Sequence, residues 1–95
     1  MGAPPGDGRR VRIELFGIAR ARAGTEAVEV NAATVAAALR GLVEKCPGVV
    51  PEVVADGRLT AGFLASVNGE HFVTDDDEAL GAEDTLLILG AQAGG

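Results

Sequence analysis

Gly94-Gly95 puts a carboxylate next to two residues without side chains, the setting in which this chain is best equipped to do chemistry on a partner. Glycine has no Cβ to restrict the backbone or block a narrow channel, so such a segment can be threaded into a deep site. After Leu89 the chain turns small, with no β-branched or charged residue, and 91–95 reads as a mobile tail. The other reactive residue types are sparse. Cys46 is the only cysteine and continues the apolar stripe of a helix, so it reads as a packed thiol rather than a nucleophile. His71 is the only histidine, which leaves no Cys/His metal set and no Ser-His-Asp triad. Lys45 is followed by cysteine, not Ser or Thr, so a phosphate-binding Gly-Lys-Ser/Thr loop is absent. Asp75-Asp76-Asp77-Glu78 lacks the alternation and the glycine of a calcium loop. It reads instead as one helical turn with a capping box from Asp75 to Glu78, leading Leu80 into the core. No metal or cofactor is expected to be bound.

A chain of 95 residues is one domain with room for a modest core. The balance of 8 basic against 14 acidic side chains gives a net charge of −6. That argues against nucleic acid and anionic membrane and favours a basic protein surface as partner. Neither a signal peptide nor an apolar run of membrane length is present, which makes the cytoplasm the expected compartment.

Several elements must position the tail. Residues 1–10 are rich in Gly and Pro and read as a flexible leader, followed by a domain over 11–90 and the tail over 91–95. Val11, Ile13 and Leu15 alternate with Arg12, Glu14 and Phe16, so 11–19 reads as a strand with Phe16 off the core face. Residues 20–24 read as a turn, and 25–31 as a returning strand with Val28 and Val30 on one side. Thr34 caps a helix to Lys45, with Val35, Leu39, Leu42 and Val43 on one stripe and Arg40 and Glu44 paired on the other side. Pro47-Gly48 ends it. Residues 49–62 read as a connection with little regular structure. Strands follow over 63–68 and 71–74, around the Asn68-Gly69 turn, and at Leu86 to Leu89. The order predicts an α+β domain in which the first and last strands lie side by side and parallel. One helix covers one sheet face only, so either Leu86 and Ile88 or Leu87 and Leu89 must point away from it. With Phe16 they would make an apolar docking patch, unless the leader or the 49–62 connection covers it.

The chain resembles the MoaD/ThiS family of ubiquitin-like sulfur carriers. The similarity runs from Val11 to Gly95. It rests on Val11-Arg-Ile-Glu-Leu-Phe16 with Ala19-Arg20 and Ala23-Gly24, and on Thr34-Val35 opening the helix. Val67-Asn68-Gly69-Glu70, Leu80 before an acidic turn, and Gly94-Gly95 complete it. The resemblance implies a β-grasp mixed sheet of four to five strands with one main helix on one face. It also implies a carrier, not an enzyme, whose C-terminal glycine is adenylated by a ubiquitin-activating-like enzyme and converted to a thiocarboxylate, with ATP used in trans. Gly95 would carry the sulfur and Gly94 would let the tail pass, while Phe16, Leu87, Leu89 and Ala93 would meet the partner. The opening and the inserted 49–62 segment look most like the small subunit of molybdopterin synthase, whose large subunit would then be the sulfur acceptor. Molybdopterin-type members place Gly-Asp where this chain has Glu83-Asp84, and prolines where it has Ala91-Gln92-Ala93. Three readings stand open: a carrier for molybdopterin, thiazole or cysteine synthesis, a ubiquitin-like modifier of target lysines, and an interaction module with an idle tail.

Overall fold

The computed structural model describes residues 9–91. Most of the expected leader and the expected tail beyond Ala91 lie outside the described residues. Strand β1 (Arg10–Leu15) is followed by helix α1 (Gly17–Ala23), strand β2 (Ala27–Asn31) and helix α2 (Val35–Lys45). A 3-10 turn at Pro47–Val49 leads to a two-stranded ribbon of β3 (Val54–Ala55) and β4 (Arg58–Leu59). Then come β5 (Phe63–Val67), β6 (His71–Phe72) and β7 (Thr85–Gly90). The main sheet has five strands in the order β2-β1-β7-β5-β6. β1 and β7 are central and parallel, with Ile13 beside Leu86 and Leu15 beside Ile88. The remaining pairs are antiparallel.

Period-two patterning decides which way the sheet faces. Val11, Ile13, Leu15, Leu86 and Ile88 are at most 1 % exposed and lie against Leu39 and Leu42 of α2, both fully buried. The helix begins where the sequence places it, the Thr34 hydroxyl accepting from the Ala37 N–H at 3.1 Å. Arg40 and Glu44 are both exposed, and the ion pairs among the described residues do not include them.

Three local expectations are corrected. The first strand stops at Leu15, and 17–23 is a helix rather than strand and turn. Gly17 at φ +57° turns the chain out of the sheet, and Gly24 at φ +79° ends the helix with its N–H on the Arg20 carbonyl. Ala- and Arg-rich composition supports the turns between them. Residues 49–62 are not a bare connection, since Val49, Val53 and Val54 are buried in the core. Asp75 to Glu78 form a turn, not a helix. The Asp75 carboxylate accepts from the Asp77 N–H at 2.9 Å, and Glu78 reaches the His71 ring at 2.6 Å instead of closing a capping box. Leu80 still enters the core at 1 % exposure.

The turn before β7 is stitched to β1. The Glu83 N–H donates to the Arg10 carbonyl, and the Arg12 N–H donates to the Asp84 carbonyl, each at 3.1 Å. Glu83 sits at φ +71°, a left-handed conformation that costs a residue with a Cβ about 1–2 kcal/mol. Glu83→Gly is therefore expected to stabilise the domain by about 0.5–1 kcal/mol, after the greater unfolded-state entropy of glycine is set against the relieved strain. A rise of a few degrees in the thermal midpoint would show it, and a fall would mean that the Glu83 side chain makes a stabilising contact.

Candidate functional site

The sheet face opposite α2 is where the functional candidates gather. Backbone register fixes its membership. Leu64 lies opposite Leu89 and Ser66 opposite Leu87 across β5 and β7, while Phe72 of β6 lies opposite Ser66. Glu14 stands beside Leu87 across the parallel pair. Phe16 extends that ladder by one position, because its N–H donates to the Ile88 carbonyl at 3.1 Å and its φ of −129° and ψ of 154° are extended. It therefore stands beside Leu89, facing away from the helix.

Of the two arrangements the sequence leaves open for the last strand, Leu86 and Ile88 are buried and Leu87 and Leu89 are the half-buried outward pair. Phe16 is 40 % exposed, Leu64 37 % and Phe72 55 %. Together they give an apolar surface over β7, β5 and β6. Its β1–β2 side is polar, carrying the Arg10–Glu29 pair at 3.3 Å and the Arg12–Glu14 pair at 2.9 Å. These exposed pairs contribute little stability and serve as a soluble margin. The 49–62 segment packs with α2 on the other side and does not cover the apolar surface, since its buried valines join the core under that helix.

Leu64 and Phe72 were not among the sequence candidates. The signal was present for Leu64, since it alternates with Phe63, Ala65 and Val67 on the core side. Phe72 could be placed only once the turn at Asn68-Gly69 set the pairing of β6.

The root of the tail lies at one end of this surface. Gly90 ends β7 opposite Phe63, and the Ala91 N–H donates to the Gly62 carbonyl at 2.8 Å. Helix α1 packs beside that end of β7, with Ala19 buried and Ile18 54 % exposed. Ala93, Gly94 and Gly95 lie outside the described residues.

At the opposite end of β7 a polar lock holds the strand. The Asp84 carboxylate accepts from the Asn68 side-chain amide at 3.0 Å and from the Gly81 N–H at 2.7 Å. The Asn68 side-chain oxygen accepts from the Thr85 N–H at 2.8 Å. The Asn68 hydrogen bond, and then that from Gly81, hold the Asp84 carboxyl below its ordinary pKa, with burial opposing them weakly. A depressed carboxyl pKa stabilises the fold above its unfolded value of about 3.9, and that contribution is lost as pH falls through the folded value. Asp84→Asn is thus expected to lower stability at pH 7 and to converge with the parent only in acid below the depressed folded value of the carboxyl. Parallel denaturation curves in acid and at neutrality check this, and a pH-independent difference would overturn it.

The reactive residue types stand apart from the apolar surface or are inert. Cys46 is 5 % exposed, and burial pushes its thiol pKa up against a smaller lowering by Lys45. No group of His, Cys, Asp and Glu among the described residues is placed to hold a metal ion. Among the described residues no helix is long and apolar enough to cross a membrane.

No protein-family model and no curated protein sequence matches the chain. Solved structures do. SAMP1 from Haloferax volcanii is 30% identical, with 90% of this chain and 99% of that chain covered and a TM-score of 0.78. CysO in the BexX/CysO complex of Amycolatopsis orientalis is 28% identical over 90% of this chain and 99% of that chain, with a TM-score of 0.74. A putative molybdopterin converting factor, subunit 1, from Pyrococcus furiosus is 20% identical over 86% of this chain and 97% of that chain. Its TM-score of 0.69 supports a shared fold. The mixed five-stranded sheet with two helices found here matches the β-grasp fold of SAMP1. With this fold, this identity and near-complete coverage, the chain belongs to the MoaD/ThiS family of ubiquitin-like sulfur-carrier proteins.

Proposed function

We propose that this protein carries sulfur as a thiocarboxylate on Gly95 and delivers it to a partner that docks on the apolar sheet face. The observation that carries the reading is the register that sets Phe16, Leu64, Leu87 and Leu89 on one face that no described segment covers, reaching the end of β7. A carboxylate is a poor electrophile, because its charge is delocalised and oxide is a poor leaving group. In the proposed sequence it attacks the α-phosphate of ATP on a ubiquitin-activating-like enzyme, releasing pyrophosphate. Sulfide-level sulfur (HS⁻) then attacks the acyl carbon and AMP leaves, which gives the thiocarboxylate without any change of oxidation state. Gly94 and Gly95 would pass a narrow channel without a Cβ, and Ala93 would sit at its mouth. Ordering a short tail costs roughly 1–2 kcal/mol per residue, so the sheet face has to supply much of the affinity.

The acceptor we favour is the large subunit of molybdopterin synthase, on the Phe16…Arg20…Gly24 opening and the inserted 49–62 segment. A second reading has a specific observation behind it. Identity to SAMP1 and to CysO, 30% and 28%, exceeds the 20% to the molybdopterin converting factor subunit. That favours a different sulfur acceptor, or transfer of Gly95 to a target lysine.

Purified protein incubated with an adenylating partner, ATP and a sulfur donor tests the reading by intact mass. The expected product gains the mass of one oxygen replaced by sulfur. Adding the synthase large subunit and a pterin precursor then separates the acceptors, dithiolene formation supporting molybdopterin and its absence with a thiocarboxylated carrier supporting the alternative.

A further inference from the structure

The two ends of the main sheet are finished differently. On one side β6 is only His71–Phe72, whereas on the other β2 runs from Ala27 to Asn31 and, among the described residues, has a neighbour on one edge only. Hydrogen bonding shows which of its backbone groups are free. The Leu15 N–H donates to the Glu26 carbonyl and the Ala32 N–H to the Arg9 carbonyl, each at 2.9 Å. With Ile13 opposite Val28 and Val11 opposite Val30, the antiparallel alternation makes Val28 and Val30 the residues that bond to β1. The N–H and C=O groups of Ala27, Glu29 and Asn31 therefore point away from the sheet. Among the described residues only the Ala27 carbonyl has a partner, the Thr25 hydroxyl at 3.3 Å.

An exposed edge of this kind is a template for another strand. It carries neither proline nor bulge, and its one charged side chain, Glu29, is paired with Arg10. Helix α2 passes close along the core side of β2. A Cβ on Gly41 would come within 2.9 Å of the Val30 side chain, so the helix backbone lies almost on the strand. Ala37 and Lys45 stand one turn to either side of Gly41 on that helix face. Val28, on the same face of the strand as Val30, is half-buried. At the Asn31 end the cleft is lined by Arg10, Glu29, Val30, Asn31 and Lys45. Arg9 is exposed just beyond it, and Lys45 belongs to none of the ion pairs among the described residues. In a chain of net charge −6 this corner is basic, with three cations against the paired Glu29.

We propose that the free edge of β2 is a strand-addition site for an extended segment of a partner protein, apolar where it crosses Val28 and acidic where it meets Arg10 and Lys45. Backbone hydrogen bonds to Ala27, Glu29 and Asn31 supply the register, and the basic corner selects the sequence. The site lies at the far side of the sheet from Leu64 and Phe72, so it can be filled while the apolar face is occupied.

The test uses the full chain and a blocked synthetic peptide, Val-Ile-Val-Ile-Asp-Asp-Glu, with a version carrying lysines in place of its acids. The acidic peptide is expected to bind with a Kd on the order of 100 µM and to slow hydrogen exchange at the Ala27, Glu29 and Asn31 amides. Lys45→Glu is expected to weaken it about tenfold, as a surface change that leaves the fold intact. Glu29→Pro removes an outward N–H that β1 does not use, a position where an edge strand tolerates proline. It should abolish binding, while Glu29→Thr retains it. Should Glu29→Pro fail to fold by circular dichroism, Lys45→Glu and the lysine peptide decide. Unchanged exchange at the three amides under saturating peptide, or equal affinity for the lysine version, overturns the proposal. So does protection of the same amides by self-association without peptide, which would assign the edge to a second copy.

Discussion

Appending one residue after Gly95, or deleting Gly95, is expected to abolish sulfur transfer while leaving the thermal midpoint nearly unchanged. The proposed chemistry happens at a single acyl carbon that the partner must hold against a nucleotide. One residue of extended chain moves that carbon by roughly 3.4 Å, and a misplacement of even 1 Å costs a reaction about 100-fold. A longer chain would also bury an uncompensated amide in the channel. Stability is set elsewhere. The buried apolar residues of the described chain fall between Val11 and Ile88, and among the described residues the last backbone tether is that of Ala91 to Gly62. Gly95→Ala should be milder, because it keeps the carboxylate in register and adds only a Cβ in the channel. The measurement is intact mass after activation, run beside a melting curve. Full thiocarboxylation of the extended protein would sink the assignment of Gly95, and a large loss of stability would show that the tail belongs to the fold.

What could be read from the sequence was whatever local periodicity determines. Val11, Ile13 and Leu15 announce a half-buried strand, and Thr34 with the stripe through Leu42 announces a capped helix, because both patterns repeat at the period of their element. The doubly apolar run from Leu86 to Leu89 signalled a central strand, and a single helix could cover only one of its faces. Which pair turned outward depended on pairing with β1 and β5, which no local pattern encodes. Helix α1 was hidden because Ile18 and Ala19 prolong the alternation of the strand, while the break is made by one glycine at φ +57°. Residues 49–62 look like a loop because Pro51 and Asp56-Gly57 interrupt them, yet their valines close the end of the core. Their burial is a tertiary outcome.

The apolar face gives the second large effect. Phe16→Asp and Phe72→Asp are each expected to weaken binding to the activating enzyme about 30-fold, equivalent to roughly 2 kcal/mol, and to leave the domain folded. Aromatic side chains that become desolvated on docking carry much of an interface's affinity. A carboxylate there would be buried without a partner on complex formation. In the free protein both side chains are exposed, Phe16 at 40 % and Phe72 at 55 %, so replacing them removes part of a contact and opens no core cavity. Phe16 sits at the tail end of the face and Phe72 on the edge strand β6, so parallel losses would trace the footprint across the sheet. Val50→Asp is the control. Val50 is 45 % exposed but belongs to the groove between α2 and the β3–β4 ribbon, on the helix side. Its substitution should leave binding within about twofold of the parent. Equal losses from all three variants would mean that added negative charge, rather than the sheet face, controls the encounter. Unfolding of Phe16→Asp would return that residue to the core and move the docking surface away from the root of the tail.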